Sequence, residues 1–312
     1  MKVAFIGAGK MAEEHARAFV DIPEAKLVGI FSRTKEKAQS LAATHKMSVV
    51  ADSVKELYEK TQADLVVVTV FETAMFGIIH EALKHPWALL VEKPPGYTLN
   101  QSLELEKVAR EASRTVYVGL NRRLLSSTCS VMDSLTEQAA SPRFVHVQDQ
   151  QSLSLARSIG HPEDVVAHWR YANSIHLVDY LIYFCRGKVS RVDVSCPWKG
   201  DSTALVHATV HFSSGDIGIY QAIWQGPGPW AVATTTSTTR WELRPLESAA
   251  FCTVDNRKLQ SVPTHDWDAR FKPGFRLQAQ RAFESLKGDQ PLLPSLSEAC
   301  RTMKLIHSIY GC

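Results

Sequence analysis

Gly7, Gly9 and Ala12 form the pattern Gly-x-Gly-x-x-Ala. It directly follows the apolar run Val3-Ala4-Phe5-Ile6 and precedes a helical pattern with Ala12, Ala16 and Phe19 on one face. That order suits a bound pyrophosphate. Gly7 permits the tight turn, Gly9 lets the backbone approach the phosphates, and small Ala12 allows close helix–strand packing with the helix N-terminus facing the negative charge. Lys10 and Met11 lie in the same turn and are candidate cofactor contacts. A second group is Ser32-Arg33-Thr34, at the end of the strand pattern that follows. No carboxylate occupies the tip where NAD-preferring folds bind a ribose 2′-hydroxyl. Ser32 and Thr34 offer hydrogen bonds, Arg33 can pair with a 2′-phosphate, and Lys37 adds charge. The tip therefore favours NADP(H), with NAD(H) the alternative if Arg33 only stacks on adenine. The third group is Glu92-Lys93-Pro94-Pro95, two charges at the rim of an apolar strand with prolines fixing the turn.

Placing these groups together requires an alternating scaffold, and the first 120 residues supply one. Strand patterns fall at 2–6, 26–31, 48–50, 64–70, 87–91 and 115–119, with helical patterns between most of them. Continuous Val/Ile/Leu character predicts a parallel sheet buried on both faces in a doubly wound α/β domain. Ligands in that architecture sit beyond the carboxyl ends of the strands. Thr69, Phe71 and Glu72 after the fourth strand should then line the cofactor groove, and Asn121 after the sixth should lie near the nicotinamide end. Arg122 and Arg123 offer cations for an anionic group such as a nucleotide-sugar diphosphate, or are two solvated arginines at a domain junction.

After Gly119 the patterning changes. Helices are predicted near 125–138 and 164–185, and half-buried strands over 143–149, 191–195, 205–212 and 217–224. Ser213-Ser214-Gly215-Asp216 reads as a hairpin turn, Gly226-Pro227-Gly228-Pro229 as a break, and 234–239 as a strand with a turn. Two late helices are expected at about 273–287 and 296–309, the last packing back near the first domain. The predicted fold is a Rossmann domain over 1–120 and an α+β domain over 121–312 with a large, mostly antiparallel open sheet.

Composition excludes several classes. Of 312 residues, 45% are hydrophobic and 21% charged, and the net charge is 35 − 32 = +3 with no basic run, so nucleic acid has no electrostatic footprint. The longest apolar runs fall far short of the ~20 residues of a membrane helix. The chain opens on a strand, which leaves no room for a signal peptide, and a cytoplasmic location is expected. Six cysteines without CxxC spacing, and histidines without an HExxH pattern, predict neither a disulfide framework nor a metal site.

Gly-x-Gly-x-x-Ala, Glu92-Lys93-Pro94 about ninety residues on, and a later helical His176 together resemble the glucose–fructose oxidoreductase / inositol dehydrogenase / MocA-like (Gfo/Idh/MocA) family over essentially the whole chain. The resemblance implies NAD(P)-dependent hydride transfer at a hydroxyl or keto carbon of a sugar, nucleotide sugar or cyclitol. Family members place the lysine of Glu-Lys-Pro between nicotinamide and the reacting hydroxyl, which makes Lys93 the first catalytic candidate. Its ammonium can donate to the substrate oxygen and, if desolvated, move the proton. His176 matches the family histidine and is the general acid/base candidate. The family aspartate four residues earlier is replaced by Ala172, with Asn173 beside it. Read as one helix, Asn173 and His176 are i and i+3 and share a face. Asn173 can orient a hydroxyl but cannot take a proton. Trp169 joins them as a substrate contact, whereas His168 and Asp179 read as helix-surface or supporting residues. A second departure is Thr69-Val70-Phe71-Glu72 where the family commonly has Pro and Asn. Members often associate through the open sheet, so a homodimer or homotetramer is expected. The rival readings are a dinucleotide sensor without catalysis on the same fold, kept open by Ala172, and a reductase of a non-sugar substrate such as a tetrapyrrole or imine.

Overall fold

The six apolar runs of the first 120 residues become six parallel strands. In order, they and their helices are β1 (Lys2–Ile6), α1 (Lys10–Val20), β2 (Lys26–Phe31), α2 (Lys35–Thr44), β3 (Val49–Ala51), α3 (Val54–Thr61), β4 (Leu65–Val68), α4 (Glu72–Ala82), β5 (Ala88–Val91), α5 (Leu99–Glu111) and β6 (Val116–Val118). The sheet order is β3-β2-β1-β4-β5-β6, so the direction of spread reverses between β1 and β4. All four side chains of β4 are fully buried, as a strand covered on both faces requires. Register aligns Ala51, Phe31, Ile6, Val68, Val91 and Val118 in one row. The next residues, Asp52, Ser32, Gly7, Thr69, Glu92 and Gly119, therefore lie along a single carboxyl-end rim. The edge of β6 is covered: Val118 N donates to Pro294 O at 2.8 Å and Tyr117 bridges Ser295.

The computed structural model describes residues 1–288 and 292–311. It divides into two compact units. The first joins Met1–Asn121 to Arg270–Cys300, and the second joins Arg122–Ala269 to the residues from Arg301 on. The second unit begins α6 (Ser126–Glu137), β7 (Phe144–Gln151), α7 (Leu153–Ser158), α8 (Glu163–Ala167), α9 (Trp169–Ala172) and α10 (Ile175–Phe184). Seven strands follow: β8 (Val189–Cys196), β9 (Leu205–Phe212), β10 (Ile217–Trp224), β11 (Ala231–Thr235), β12 (Thr239–Leu243), β13 (Ala249–Thr253) and β14 (Gln260–Val262). The chain closes with α11 (Asp266–Arg270), α12 (Phe275–Lys287) and α13 (Leu296–Tyr310). Residues 296–300 of α13 fall in the first unit and the rest of the helix in the second.

The second sheet has eight strands in the order β14-β13-β12-β11-β7-β10-β9-β8. Its pairs are antiparallel except β7 with β10, which run parallel. Strands β7, β9 and β10 alternate buried and half-buried residues, so one face is covered and the other open. The nearly all-buried α10 lies on the covered face. A Cβ on Gly218 would stand 2.7 Å from Leu181 Cδ2, which explains the glycine at that close approach.

One predicted element is corrected. The single helix over 164–185 is three pieces, α8, α9 and α10, broken at His168 and at Asn173-Ser174. The apolar pattern runs through the breaks, but Asn173 has left the helical region (φ −124°, ψ −49°). The sequence also gave no signal for the short elements α7, β13, β14 and α11. Among the described residues, no helix is long and apolar enough to cross a membrane, and no cluster of His, Cys, Asp and Glu could hold a metal ion.

Candidate active site

In the first unit, helices α3 and α5 carry side-chain caps: Ser53 Oγ accepts from Glu56 N and Thr98 Oγ1 from Gln101 N. Helix α1 has none. Its cap is Gly9, where an added Cβ would meet nothing within 4 Å. Space is thus open beside this cap, at the positive end of the helix dipole, which fits a pyrophosphate. Gly7 is held at φ +105° by a bond from its N–H to Phe31 O (2.8 Å), and a Cβ there would stand 2.5 Å from Thr69 O. A side chain is excluded twice over, by conformation and by space. Exposed Lys10 and half-buried Met11 open the helix.

At the tip of β2, Ser32 Oγ accepts from Thr34 N (3.3 Å), and Arg33, Thr34 and Lys37 are exposed. Asp52, the carboxylate that ends the neighbouring strand, is bound by Lys35 at 2.7 Å. Thr69 is buried with its N–H on Ile6 O, and Phe71, 65% exposed, caps α4 ahead of Glu72.

Glu92 has the most structured surroundings on the rim. Its N–H bonds Val68 O (2.9 Å), Oε1 meets His15 Nε2 at 2.8 Å, and Oε2 accepts from Lys93 N (3.3 Å). Both oxygens are used, so the carboxylate fixes the turn that presents half-buried Lys93. Burial alone would raise this carboxyl. The hydrogen bond from His15, its charge, and those of Lys93 and Lys272 outweigh burial and hold Glu92 below the ordinary glutamate range. His15 is 1% exposed, and its ring packs at a tilt against Phe275, 4.5 Å between centroids. Lys272, just before α12, reaches Met11 Sδ at 3.3 Å. Neither His15 nor Lys272 was singled out from sequence. His15 sits one helical turn past Ala12, a spacing that could have flagged it. Asn121, placed near the nicotinamide from sequence, is buried and spends its amide on Pro273 O at 3.0 Å.

In the second unit, Trp169 and Asn173 both donate to Gln151 Oε1, at 2.8 Å each. Gln151 Nε2 donates to Asp149 Oδ1, whose Oδ2 accepts from Tyr220 (2.6 Å). Tyr220 and Tyr310 hydroxyls lie 2.8 Å apart. His176 is buried in the first turn of α10, and its N–H reaches Asn173 O at 3.4 Å. The two residues are therefore joined by a turn and not by one continuous helix.

The paired arginines separate. Arg123, considered as an anion binder or a solvated residue, is neither: it is 5% exposed and grips Asp179 in a two-point ion pair, Nε to Oδ2 at 2.7 Å and Nη2 to Oδ1 at 2.8 Å. Asp179 is correspondingly buried, not on the helix surface. Arg122 pairs with Glu247 and lies over the Trp230 ring at 5.8 Å.

Burial raises the Asp149 carboxyl above the ordinary aspartate range against the bonds from Tyr220 and Gln151. A raised carboxyl contributes stability fully below its unfolded pKa of ~3.9, and that contribution is lost as pH rises through the folded value. Asp149→Asn removes the loss. As pH rises from ~4 towards neutrality, its melting temperature should gain on the parent's. Thermal unfolding of both proteins across that range checks this.

Residues 1–120 match the family model described as "Oxidoreductase family, NAD-binding Rossmann fold" (Gfo/Idh/MocA). Over that segment the chain is similar to the Gfo/Idh/MocA oxidoreductases. Beyond that segment, it is 24% identical over 317 aligned residues to inositol 2-dehydrogenase 2 of Paenarthrobacter aurescens, covering 96% of this chain and 91% of the relative. Three further curated relatives, 26–29% identical, are matched over only 35–39% of their own length. Among solved structures, UDP-N-acetylglucosamine 3-dehydrogenase from Acidithiobacillus ferrooxidans superposes with a TM-score of 0.79 at 16% identity, covering 100% of this chain and 97% of that one. An oxidoreductase from Agrobacterium radiobacter in complex with NAD+, L-tartaric acid and magnesium gives 0.81 at 12%, covering 100% and 95%. At such identities these two structures establish the shared fold. Ala172, one of the two departures read from the sequence, is buried at the end of α9, with half-buried Asn173 and buried Ser174 next in the chain.

Proposed function

We propose that the chain is a nicotinamide-dependent dehydrogenase or reductase acting at a hydroxyl or keto carbon of a sugar, nucleotide sugar or cyclitol. The observation that carries this reading is the Glu92 clamp: His15 and the Lys93 N–H together fix a lysine on the same rim as the Gly7 turn. The bound cofactor supplies the two-electron redox chemistry. In this reading Lys93 donates to the reacting oxygen and offsets its developing charge, His176 carries the proton, and Asn173 orients a hydroxyl. The names of the relatives, inositol 2-dehydrogenase and UDP-N-acetylglucosamine 3-dehydrogenase, support a polyol or sugar substrate.

We further propose a preference for NADP(H). Arg33 and Lys37 are exposed near the β2 tip, and the nearby Asp52 is already paired with Lys35, which lowers its repulsion of a 2′-phosphate. Hydrogen bonds to charged groups contribute ~1.5–3 kcal/mol, or ~10–100-fold in affinity. Arg33→Ala should weaken NADPH by that factor and leave NADH within about threefold. Thermal shift with all four dinucleotide forms reads both affinities. Dehydrogenation of myo-inositol, methyl α-D-glucopyranoside and UDP-N-acetylglucosamine, followed by nicotinamide absorbance, then tests the activity. Dinucleotide binding without turnover across a broad polyol and sugar panel would favour the sensor reading, and no binding at all would overturn both.

A further inference from the structure

We infer that Gln151 is a positioning residue that fixes the polarity of the Asn173 amide and turns its Oδ1 into a hydroxyl acceptor. The inference rests on the reading of Asn173 as the group that orients substrate. The polarity follows from donor inventories. Trp169 Nε1 can only donate, so the Gln151 atom 2.8 Å from it must be Oε1. That same oxygen lies 2.8 Å from the Asn173 side chain, so Asn173 must present its NH2 there. The other end of Gln151, necessarily its NH2, meets Asp149 Oδ1, and a carboxylate is an acceptor. The indole and the carboxylate, approaching Gln151 from opposite ends, demand the same orientation, so the assignment does not rest on which amide atom is called nitrogen.

The rest of the assembly is rigid. Gln151 and Asp149 are each 1% exposed near the end of β7, and Tyr220 and Tyr310 close the carboxylate's far side. His161 packs edge-on against Trp169 at 4.8 Å. Asn173, in contrast, is only half-buried, and its Oδ1 takes no hydrogen bond from any described residue. An amide whose NH2 is pinned and whose oxygen is left over accepts from a hydroxyl and discriminates against a deoxy or ether position. It does so without the proton-taking capacity that a carboxylate at Ala172 would have.

Two measurements test this. In the first, Asn173→Ala, Gln151→Met and the double variant are assayed with whichever of myo-inositol, methyl α-D-glucopyranoside and UDP-N-acetylglucosamine is turned over. Each single variant should raise KM for that probe ~10-fold, the value of one hydrogen bond, with the dinucleotide KM unchanged. The double variant should be no worse than either. If Gln151→Met is silent, or if the two effects multiply, Gln151 does not act through Asn173 and the inference falls while the role of Asn173 stands. If Asn173→Ala is itself silent, the reading of Asn173 fails and takes the inference with it. The second measurement needs no substrate: proton exchange at the Asn173 side-chain amide in asparagine-15N-labelled protein, assigned by its loss in Asn173→Ala. One of the two amide protons should exchange slowly in the parent and rapidly in Gln151→Met. Equal, fast exchange of both protons in the parent would overturn the inference.

Discussion

Lys93→Met should lower kcat/KM by ~10³–10⁴-fold and leave dinucleotide affinity within about threefold. The size follows from what one ammonium is asked to do. Proton transfer by a positioned group contributes ~10²–10⁴-fold, and a preorganised donor at a developing oxyanion ~10²–10³-fold, with the two overlapping because one group supplies both. The clamp fixes the backbone that carries this ammonium: Glu92 Oε2 holds the Lys93 N–H and Oε1 is fixed by buried His15. The dinucleotide is expected at Gly7 and Gly9, which the substitution does not touch, so an NADPH-induced thermal shift should persist. Lys93→Arg should not rescue, because a planar guanidinium fork cannot take the place of a compact point charge. Steady-state kinetics beside thermal shift decide the matter. A variant that loses turnover and NADPH binding together would move Lys93 from chemistry to cofactor attachment, and a variant that keeps turnover would remove it from both.

The contrast between what this chain shows in its sequence and what it hides follows from range. Strands β1 to β6 are legible because a sheet buried on both faces demands continuous apolar runs, and the glycine turn is legible because its requirements are local. The same logic fixes the rim: once Ile6, Val68 and Val91 share a row, Gly7, Thr69 and Glu92 must follow at one edge. The partners that set the chemistry of those residues are far away in the chain. His15 and Glu92 are 77 residues apart, and Asn173 and Gln151 22. No spacing rule connects them. The break at Asn173-Ser174 was hidden for another reason. Apolar periodicity continues through it, and the bond from Asn173 to Gln151, a tertiary contact, accompanies a departure that periodicity alone cannot show.

Asp179→Ala should be the most destabilising single substitution in the second unit, by ~3–5 kcal/mol, which lowers the melting temperature by roughly 6–20 °C. Arg123 and Asp179 are 56 residues apart, and each looks like an ordinary surface charge in the sequence. In the fold they are 5% and 3% exposed, joined at two points, with Thr302 Oγ1 donating to Asp179 Oδ1 at 2.7 Å and the Tyr183 ring 4.8 Å from the guanidinium. Removing the carboxylate strands a guanidinium that cannot shed its proton, so its desolvation penalty remains without the opposite charge that offset it. That asymmetry separates this pair from the exposed ones. Lys35–Asp52, with both side chains more than half exposed, should contribute little, so Asp52→Ala should leave the melting temperature nearly unchanged. It also predicts that Arg123→Met combined with Asp179→Leu recovers most of the loss, since two apolar groups of similar volume leave no charge buried. Calorimetry on the parent, the single variant and the double variant tests this. A single variant within 1 kcal/mol of the parent, or a double variant no better than the single, would show that the pair is solvated in the native protein, and Arg123 would then again be available to an anionic substrate.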